Sequence, residues 1–226
     1  MTWASEAMPQ TVEEAQSGPS FPEVIEAARE RGIDRIVHFT TISGLKGILA
    51  SSAVKARAYL PEDARLKHVY EPNAADRSRD ARWLGYVNLS VSSINMHMFR
   101  FSEREHPGRQ WAILEFGPEI LGDPGVVFCT TNNIYPAARR GIGRQGFEQM
   151  FAPKVYGRYS AEHDRRNRAV CETTDPQAEV LYPFELPLQD LRGIAVREEE
   201  TLDAVVGLRA VFLNCPYVER KPEAFQ

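Results

Sequence analysis

Short apolar runs, each closed off by glycine, proline, asparagine or a charged loop, set the limits on this fold. Asp34–Thr40, Tyr86–Val91, Trp111–Phe116, Gly125–Thr130, the run that starts at Gln177, and Leu191–Val196 read as strands. In the second of these Val87, Leu89 and Val91 alternate with a polar face of Tyr86, Asn88, Ser90 and Ser92, the period of two that a half-buried strand requires. Between the strands lie segments of helical spacing: Pro22–Arg31 closed by Gly32, Ser43–Ala50 with Ser43 as N-cap, Asn95–Phe101, and Glu198–Leu208 with an acidic first turn that suits its dipole. Arg209–Leu213 reads as a last strand. Strands separated by small helices, with no G-x-G-x-x-G and no Walker sequence, predict an α+β domain over residues 21–226 rather than a doubly wound nucleotide fold. Residues 1–20, rich in Ser, Pro, Gln and Glu, read as a flexible N-terminal arm.

The same composition narrows the class of protein. The 226 residues, 43% hydrophobic and 26% charged, suffice for one sizeable core. No run of apolar residues reaches membrane-spanning length and no basic leader precedes an apolar block, so the reading is a soluble, cytoplasmic protein without a membrane partner. Cys129, Cys171 and Cys215 lie far apart and form no C-x-x-C pair, which points away from a structural zinc site and from a disulfide framework.

Three places carry candidate chemistry. Gln177 and Glu179 are spaced i, i+2, so a strand beginning there would present both on one face, at a loop-to-strand junction behind Pro176. The alternative is an edge strand with ordinary solvated polar residues, its glutamate facing water. His38 and Thr40 end the first strand, just before the amides of the next helix; a lone strand histidine is otherwise a hydrogen-bonded structural residue. The formal net charge of −4 does not mark a nucleic-acid binder, yet Arg139–Arg168 is locally cationic. Its basic residues Arg139, Arg140, Arg144, Lys154, Arg158, Arg165, Arg166 and Arg168 outnumber Glu148, Glu162 and Asp164, and Phe147, Phe151, Tyr156 and Tyr159 are interleaved among them. Charge mixed with flat rings suits a single strand with stacked bases; a solvated helix face is the other reading. Residues 134–168 are expected to form a helical insertion after Asn132-Asn133 turns the chain, and the charged stretch from Lys55 to Arg82 lacks clear periodicity, reading as a helical turn or a long loop of the kind that is functional or disordered.

His38-Phe39-Thr40, the helix Leu45–Leu49, the arginine-bearing loop, the strand Tyr86–Ser93 followed by Met96–Phe99, and above all Gln177-Ala178-Glu179-Val180-Leu181 resemble, in this order, the DarT family of DNA ADP-ribosyltransferase toxins. The resemblance runs from about Ile36 to Val211. It implies an ADP-ribosyltransferase-like fold, a central, mostly antiparallel split sheet flanked by short helices. It also implies an enzyme that consumes NAD, without a metal, to attach ADP-ribose to thymidine or guanosine in single-stranded DNA, as half of a toxin–antitoxin or phage-defence pair whose antitoxin removes the modification. The family glutamate falls on Glu179 and its strand histidine on His38; the loop arginine falls on Arg77, with Arg79 and Arg82 as neighbours. Contacts to NAD are expected from His38, Phe39, Thr40, Gly44, Leu45, Arg77, Tyr86 and Ser90, and contacts to DNA from Arg144, Tyr159, Arg165, Arg166 and Arg168. Ser43-Gly44 and Asn88-Leu89-Ser90 depart from the residues many members carry at those points. The alternatives are a transferase acting on protein or RNA, and a catalytically silent nucleic-acid-binding module.

Overall fold

The computed structural model describes residues 17–60 and 82–226. Helix α1 (Pro22–Glu30) leads into strand β1 (Ile36–Thr41), helix α2 (Ile42–Ser51) and the short strand β2 (Ala53–Lys55). Strand β3 (Tyr86–Val91) is followed by α3 (Met96–Glu105), β4 (Trp111–Phe116), β5 (Val127–Cys129), β6 (Arg140–Gly141), α4 (Gly143–Gln149) and the ribbon β7 (Lys154–Tyr156) and β8 (Glu162–Asp164). The chain closes with β9 (Glu179–Pro183), β10 (Glu185–Pro187), β11 (Leu191–Val196), α5 (Glu199–Leu208) and β12 (Tyr217–Arg220).

Eight strands form one sheet in the order β12-β11-β4-β1-β3-β9-β5-β6. Neighbours are antiparallel except β11 and β12. One face is the main core, where Ile36, Leu89, Leu114, Phe116, Phe128, Val180 and Ile194 meet Val24 and Ala28 of α1, Leu45 and Leu49 of α2, and Phe147 of α4. The other face is divided. On the β4 side Val37, Trp111, Ile113 and Ala195 pack with Phe99 of α3 and with Phe225. On the β9 side Tyr86, Val127, Cys129 and Leu181 pack with Trp83. Because β4 is covered on both faces, it reads as an almost unbroken apolar run rather than an alternating one.

The division of that face follows from pairing. Strand β1 is bonded to β4 along its whole length, Ile36–Thr41. To β3 it is bonded only through Ile36 with Val91 and Val37 with Ser90, because Tyr86–Leu89 are committed to β9. The strands part at His38, so the sheet is split, as the family resemblance implies.

Four local expectations are corrected. Helix α2 is capped by Thr41, whose hydroxyl accepts the Gly44 N–H at 3.0 Å; Ser43 lies inside the helix. Residues 134–168 are not a helical insertion: the one α-helix there is Gly143–Gln149, the remainder being loops, a short 3-10 turn, β6 and the β7–β8 ribbon, because Gly141, Pro153 and Gly157 interrupt any longer periodicity. Arg209–Leu213 is not a strand. Val211 and Phe212 donate to Leu208 O at 3.0 and 2.8 Å, prolonging the end of α5, and Val211 and Leu213 are left exposed; the last strand is instead β12. Strand β9 begins at Glu179, so Gln177 lies in the turn before it. The expected arm falls largely outside the described residues, as do Arg77 and Arg79. Among the described residues, no helix is long and apolar enough to cross a membrane.

Candidate active site

Pairing places Arg140 of β6, Cys129 of β5 and Glu179 of β9 in one row across the sheet, with Cys129 directly opposite both others. Residues opposite each other on antiparallel strands share a face, so Arg140 and Glu179 flank Cys129 about 10 Å apart at two strand spacings. The chain leaving β5, Thr130-Thr131-Asn132-Asn133, is buried although every residue is polar, and it folds back over this row. Asn132 Nδ2 donates to Glu179 Oε1 at 3.0 Å and the Asn133 N–H donates to Oε2 at 2.8 Å. Asn132 Oδ1 in turn accepts the Ile134 N–H at 3.1 Å, which fixes its amide. A buried carboxylate needs such donors, and Glu179 is only 6% exposed. The expectation of a solvent-facing glutamate is therefore corrected. Between the two charges, burial first and the Glu179 carboxylate second push the Cys129 thiol well above its ordinary range, so it is a small neutral spacer rather than a nucleophile.

The turn that delivers Glu179 is pinned by a second buried carboxylate. Asp175 Oδ2 accepts the Thr131 hydroxyl at 2.5 Å and Oδ1 accepts the Gln177 N–H at 2.8 Å, while His163 Nε2 lies 3.6 Å from Oδ2. Gly157 passes close by: a Cβ there would stand 2.7 Å from Asp175 Oδ2 and 2.8 Å from His163 Nε2. Gln177 and Glu179 do not share a strand face, yet the same loop holds both, since the Tyr135 hydroxyl donates to Gln177 Oε1 at 3.0 Å.

At the split, His38 Nδ1 lies 3.0 Å from the Asn88 carbonyl, taking the place of the backbone pairing that β1 and β3 have lost. A carbonyl only accepts, so Nδ1 carries the proton and Nε2 presents a lone pair. Burial lowers the His38 pKa from the ordinary value of 6.5, with the Asn88 hydrogen bond opposing it, which keeps the ring neutral at pH 7. Alternation sends His38 and Thr40 toward the face of Leu114 and Glu179 toward the face of Cys129 and Leu181, with β3 between their strands. One residue beyond the last β3–β9 pair, Ser90 stands level with Glu179 and opposite Val37. Tyr86, expected on a polar strand face, is instead buried, and among the described residues its hydroxyl has no hydrogen-bond partner, the kind of group a ligand satisfies. Burial, then the neighbouring Tyr59, push that hydroxyl up to about 12, so it remains a donor.

Other expected contacts divide clearly. Gly44 is required where it stands, since a Cβ would fall 2.4 Å from Thr40 Oγ1. The side chains of Leu45 and Phe39 are packing groups: Leu45 is fully buried in the main core, and Phe39 lies edge-on to Phe99 and Trp111. Within the cationic segment, Arg165 donates to the carbonyls of Glu172, Ala169 and Val170 at 2.6, 2.9 and 2.8 Å and lies over Phe151. Arg168 donates to Thr173 O at 3.0 Å. Arg166 is outward, with Nε and Nη2 on Asp164 at 3.0 and 2.6 Å, and Tyr159 is 88% exposed beside Arg158. Arg144 lies on α4 facing Glu30, away from that turn. Arg82 is exposed before β3. Sequence reasoning passed over Asn132, Asn133, Tyr135 and Asp175, and took Arg140 only as one charge among many; the available signal was four consecutive polar residues directly after an apolar strand.

Comparison with known proteins agrees with this architecture. Residues 37–226 match the family model described as "DarT: ssDNA thymidine ADP-ribosyltransferase, DarT". Among solved structures, Thermus sp. 2.9 DarT in complex with NAD+ is 18% identical, with a TM-score of 0.61 over 85% of this chain and 98% of that chain. Thermus sp. 2.9 DarT in complex with ADP-ribosylated ssDNA is 19% identical, with a TM-score of 0.61 over 92% and 100%. Thermosipho africanus DarTG in complex with ADP-ribose is 11% identical, with a TM-score of 0.53 over 85% of this chain and 51% of that chain. No match is found among curated proteins. The structural likenesses establish the fold, and the family match over most of the length establishes the lineage: the chain belongs to the DarT family of ssDNA thymidine ADP-ribosyltransferases.

Proposed function

We propose that Glu179 is the carboxylate that drives transfer of ADP-ribose from NAD to thymidine in single-stranded DNA. The observation that carries this reading is the fixed, buried Glu179 carboxylate, with one oxygen on Asn132 and the other on Asn133, at the start of β9, one strand away from the split in the sheet. In the reaction the bond from the ribose C1′ to the nicotinamide nitrogen breaks, its electron pair leaves with nicotinamide, and positive charge spreads over C1′ and the ring oxygen. A carboxylate already oriented and shielded from water stabilises that charge without reorganising. Thymine has one ring nitrogen not bound to its sugar, N3, and N3 forms the new bond to C1′ as its proton is lost to solvent. The base must leave its stack to present N3, which accounts for a single-stranded substrate.

His38, Thr40 and the backbone at Gly44 hold NAD at the split, joined by the Tyr86 hydroxyl and Ser90 and by Arg77, which lies outside the described residues. Arg166 and Tyr159 contact the DNA, while Arg165 and Arg168 act by holding the loop that leads to Glu179. A cognate antitoxin that removes ADP-ribose from DNA is the expected partner; the likeness to Thermosipho africanus DarTG, of which this chain covers 51%, supports that reading. The chain then acts as the toxin of a toxin–antitoxin or phage-defence pair, in the cytoplasm where NAD and DNA are both within reach.

The test is incubation with labelled NAD and four single-stranded oligonucleotides, each lacking one base. Label is expected on every oligonucleotide except the one lacking thymidine. Glu179→Gln should lower transfer on the order of 10²–10³-fold, as loss of a preorganised charge-stabilising group does. Label on the thymidine-free oligonucleotide, on added RNA or on protein would replace the acceptor, and undiminished transfer by the variant would remove Glu179 from its role.

A further inference from the structure

We infer that Arg140 is a positioning residue for the transfer reaction, setting both the orientation and the ionisation of Glu179 through Asn133; the inference rests on the role of Glu179 just proposed. Three observations meet here. Arg140 and Glu179 flank Cys129 in one row of the sheet. Asn133 spans the gap between them: its N–H binds Glu179 Oε2 at 2.8 Å, while its side-chain oxygen accepts from Arg140 Nε at 2.7 Å and its carbonyl accepts from Arg140 Nη2. The planar fork of the guanidinium therefore grips Asn133 at its side-chain and main-chain oxygens, holding in place the residue whose N–H donates to the carboxylate. A third bond, from Nη1 to Ala138 O at 3.3 Å, and the Trp83 ring 5.3 Å away seat the guanidinium itself.

The chemical consequence is twofold. A buried carboxylate is kept ionised by hydrogen-bond donors and by nearby cations; Asn132 and Asn133 supply the donors, and Arg140 brings a cation two strands away in the same row. The carboxylate must also keep one direction while charge develops on the ribose, and a loop of asparagines and threonines has no apolar anchor of its own to hold it. Arg140 does not touch the substrate. It replaces the packing that this loop lacks, and only an arginine offers both the charge and the fork.

The test compares Arg140→Ala with Arg140→Lys in the full-length protein, following kcat and KM for NAD across pH with a thymidine oligonucleotide. Arg140→Ala should lower kcat by about ten- to a hundredfold, on the scale of losing a group that orients a metal's ligand. KM for NAD should stay within about twofold, and the acid limb of the kcat profile should move to higher pH because the carboxylate has lost its cation. Arg140→Lys keeps the charge but not the fork, so its acid limb should stay in place while kcat falls. Wild-type kcat in either variant, or a fall in Arg140→Ala with an unmoved acid limb, would overturn the inference. If Arg140→Ala does not fold, the lysine variant decides alone: reduced kcat with an unmoved limb supports the inference, and any other result overturns it. Glu179→Gln separates the two levels, since an active Glu179→Gln removes the underlying role, whereas an inactive one beside a fully active Arg140→Ala removes only the inference.

Discussion

Removing the Glu179 carboxylate leaves Asn132 Nδ2 and the Asn133 N–H without their acceptor, and a buried donor without an acceptor costs about 1–3 kcal/mol. Loss of activity in Glu179→Ala would therefore mix chemistry with stability, which is why the glutamine variant is the cleaner probe. His38 makes a different prediction. Its pKa in the folded state lies below the ordinary 6.5, so the unfolded chain binds more protons through the interval between the two values. The stability it contributes is full above pH 6.5 and is lost as pH falls through the folded value. Thermal unfolding from pH 8 down to pH 4 should show Tm dropping less steeply below pH 6.5 in His38→Gln than in the parent; parallel curves would mean the ring is not desolvated. Both residues were singled out because Gln177-Ala178-Glu179 and His38-Phe39-Thr40 resemble motifs of the DarT family; spacing alone left a solvated edge strand and a structural histidine open. Asn132 and Asn133 were not, since the atoms they serve lie 47 and 46 residues further along the chain and become neighbours only when β5 pairs with β9.

Among the elements, the connection from β8 to β9 shows how a charged stretch can be misread. Eight basic residues between Arg139 and Arg168 look from the sequence like one surface, but they do at least two jobs. Arg165 gathers three carbonyls of the loop ahead of Asp175, whereas Arg166 faces solvent with Asp164. Arg165→Ala should therefore cost about 1.5–3 kcal/mol, the range for hydrogen bonds to a charged group, and lower Tm in a thermal melt. Arg166→Ala should leave Tm unchanged and instead reduce the slope of log Kd against log salt for single-stranded DNA by about 0.7, the contribution of one phosphate. An unchanged Tm for Arg165→Ala, or an unchanged salt slope for Arg166→Ala, would reverse these assignments. Periodicity located α1, α3 and α5 because each buries one stripe against the sheet. It failed at Arg209–Leu213, where an apolar run continues the hydrogen bonding of the helix before it instead of joining the sheet.

For the molecule as a whole, one decision at β1 organises the rest. By committing its full length to β4 and only Ile36 and Val37 to β3, β1 leaves the sheet joined at one end and parted from His38 onward. The half built on β4 carries the aromatic cluster of Phe39, Phe99 and Trp111. The half built on β9 carries Glu179 and the polar loop over it. The α+β class and strand order in sequence could be read from alternation and punctuation, but the order of strands in space could not, because β9 reaches its place between β3 and β5 only through long-range pairing. The split itself came from the family resemblance rather than from any local pattern. The central claim is that the carboxylate held by Asn132 and Asn133 at the start of β9 makes this fold a thymidine transferase. Mass spectrometry of a single-stranded oligonucleotide with one thymidine, after incubation with NAD, tests it most directly. The parent should add one ADP-ribosyl group to that thymidine and folded Glu179→Gln should do so on the order of 10²–10³-fold more slowly; an unmodified oligonucleotide with the parent, or equal modification by both, would contradict it.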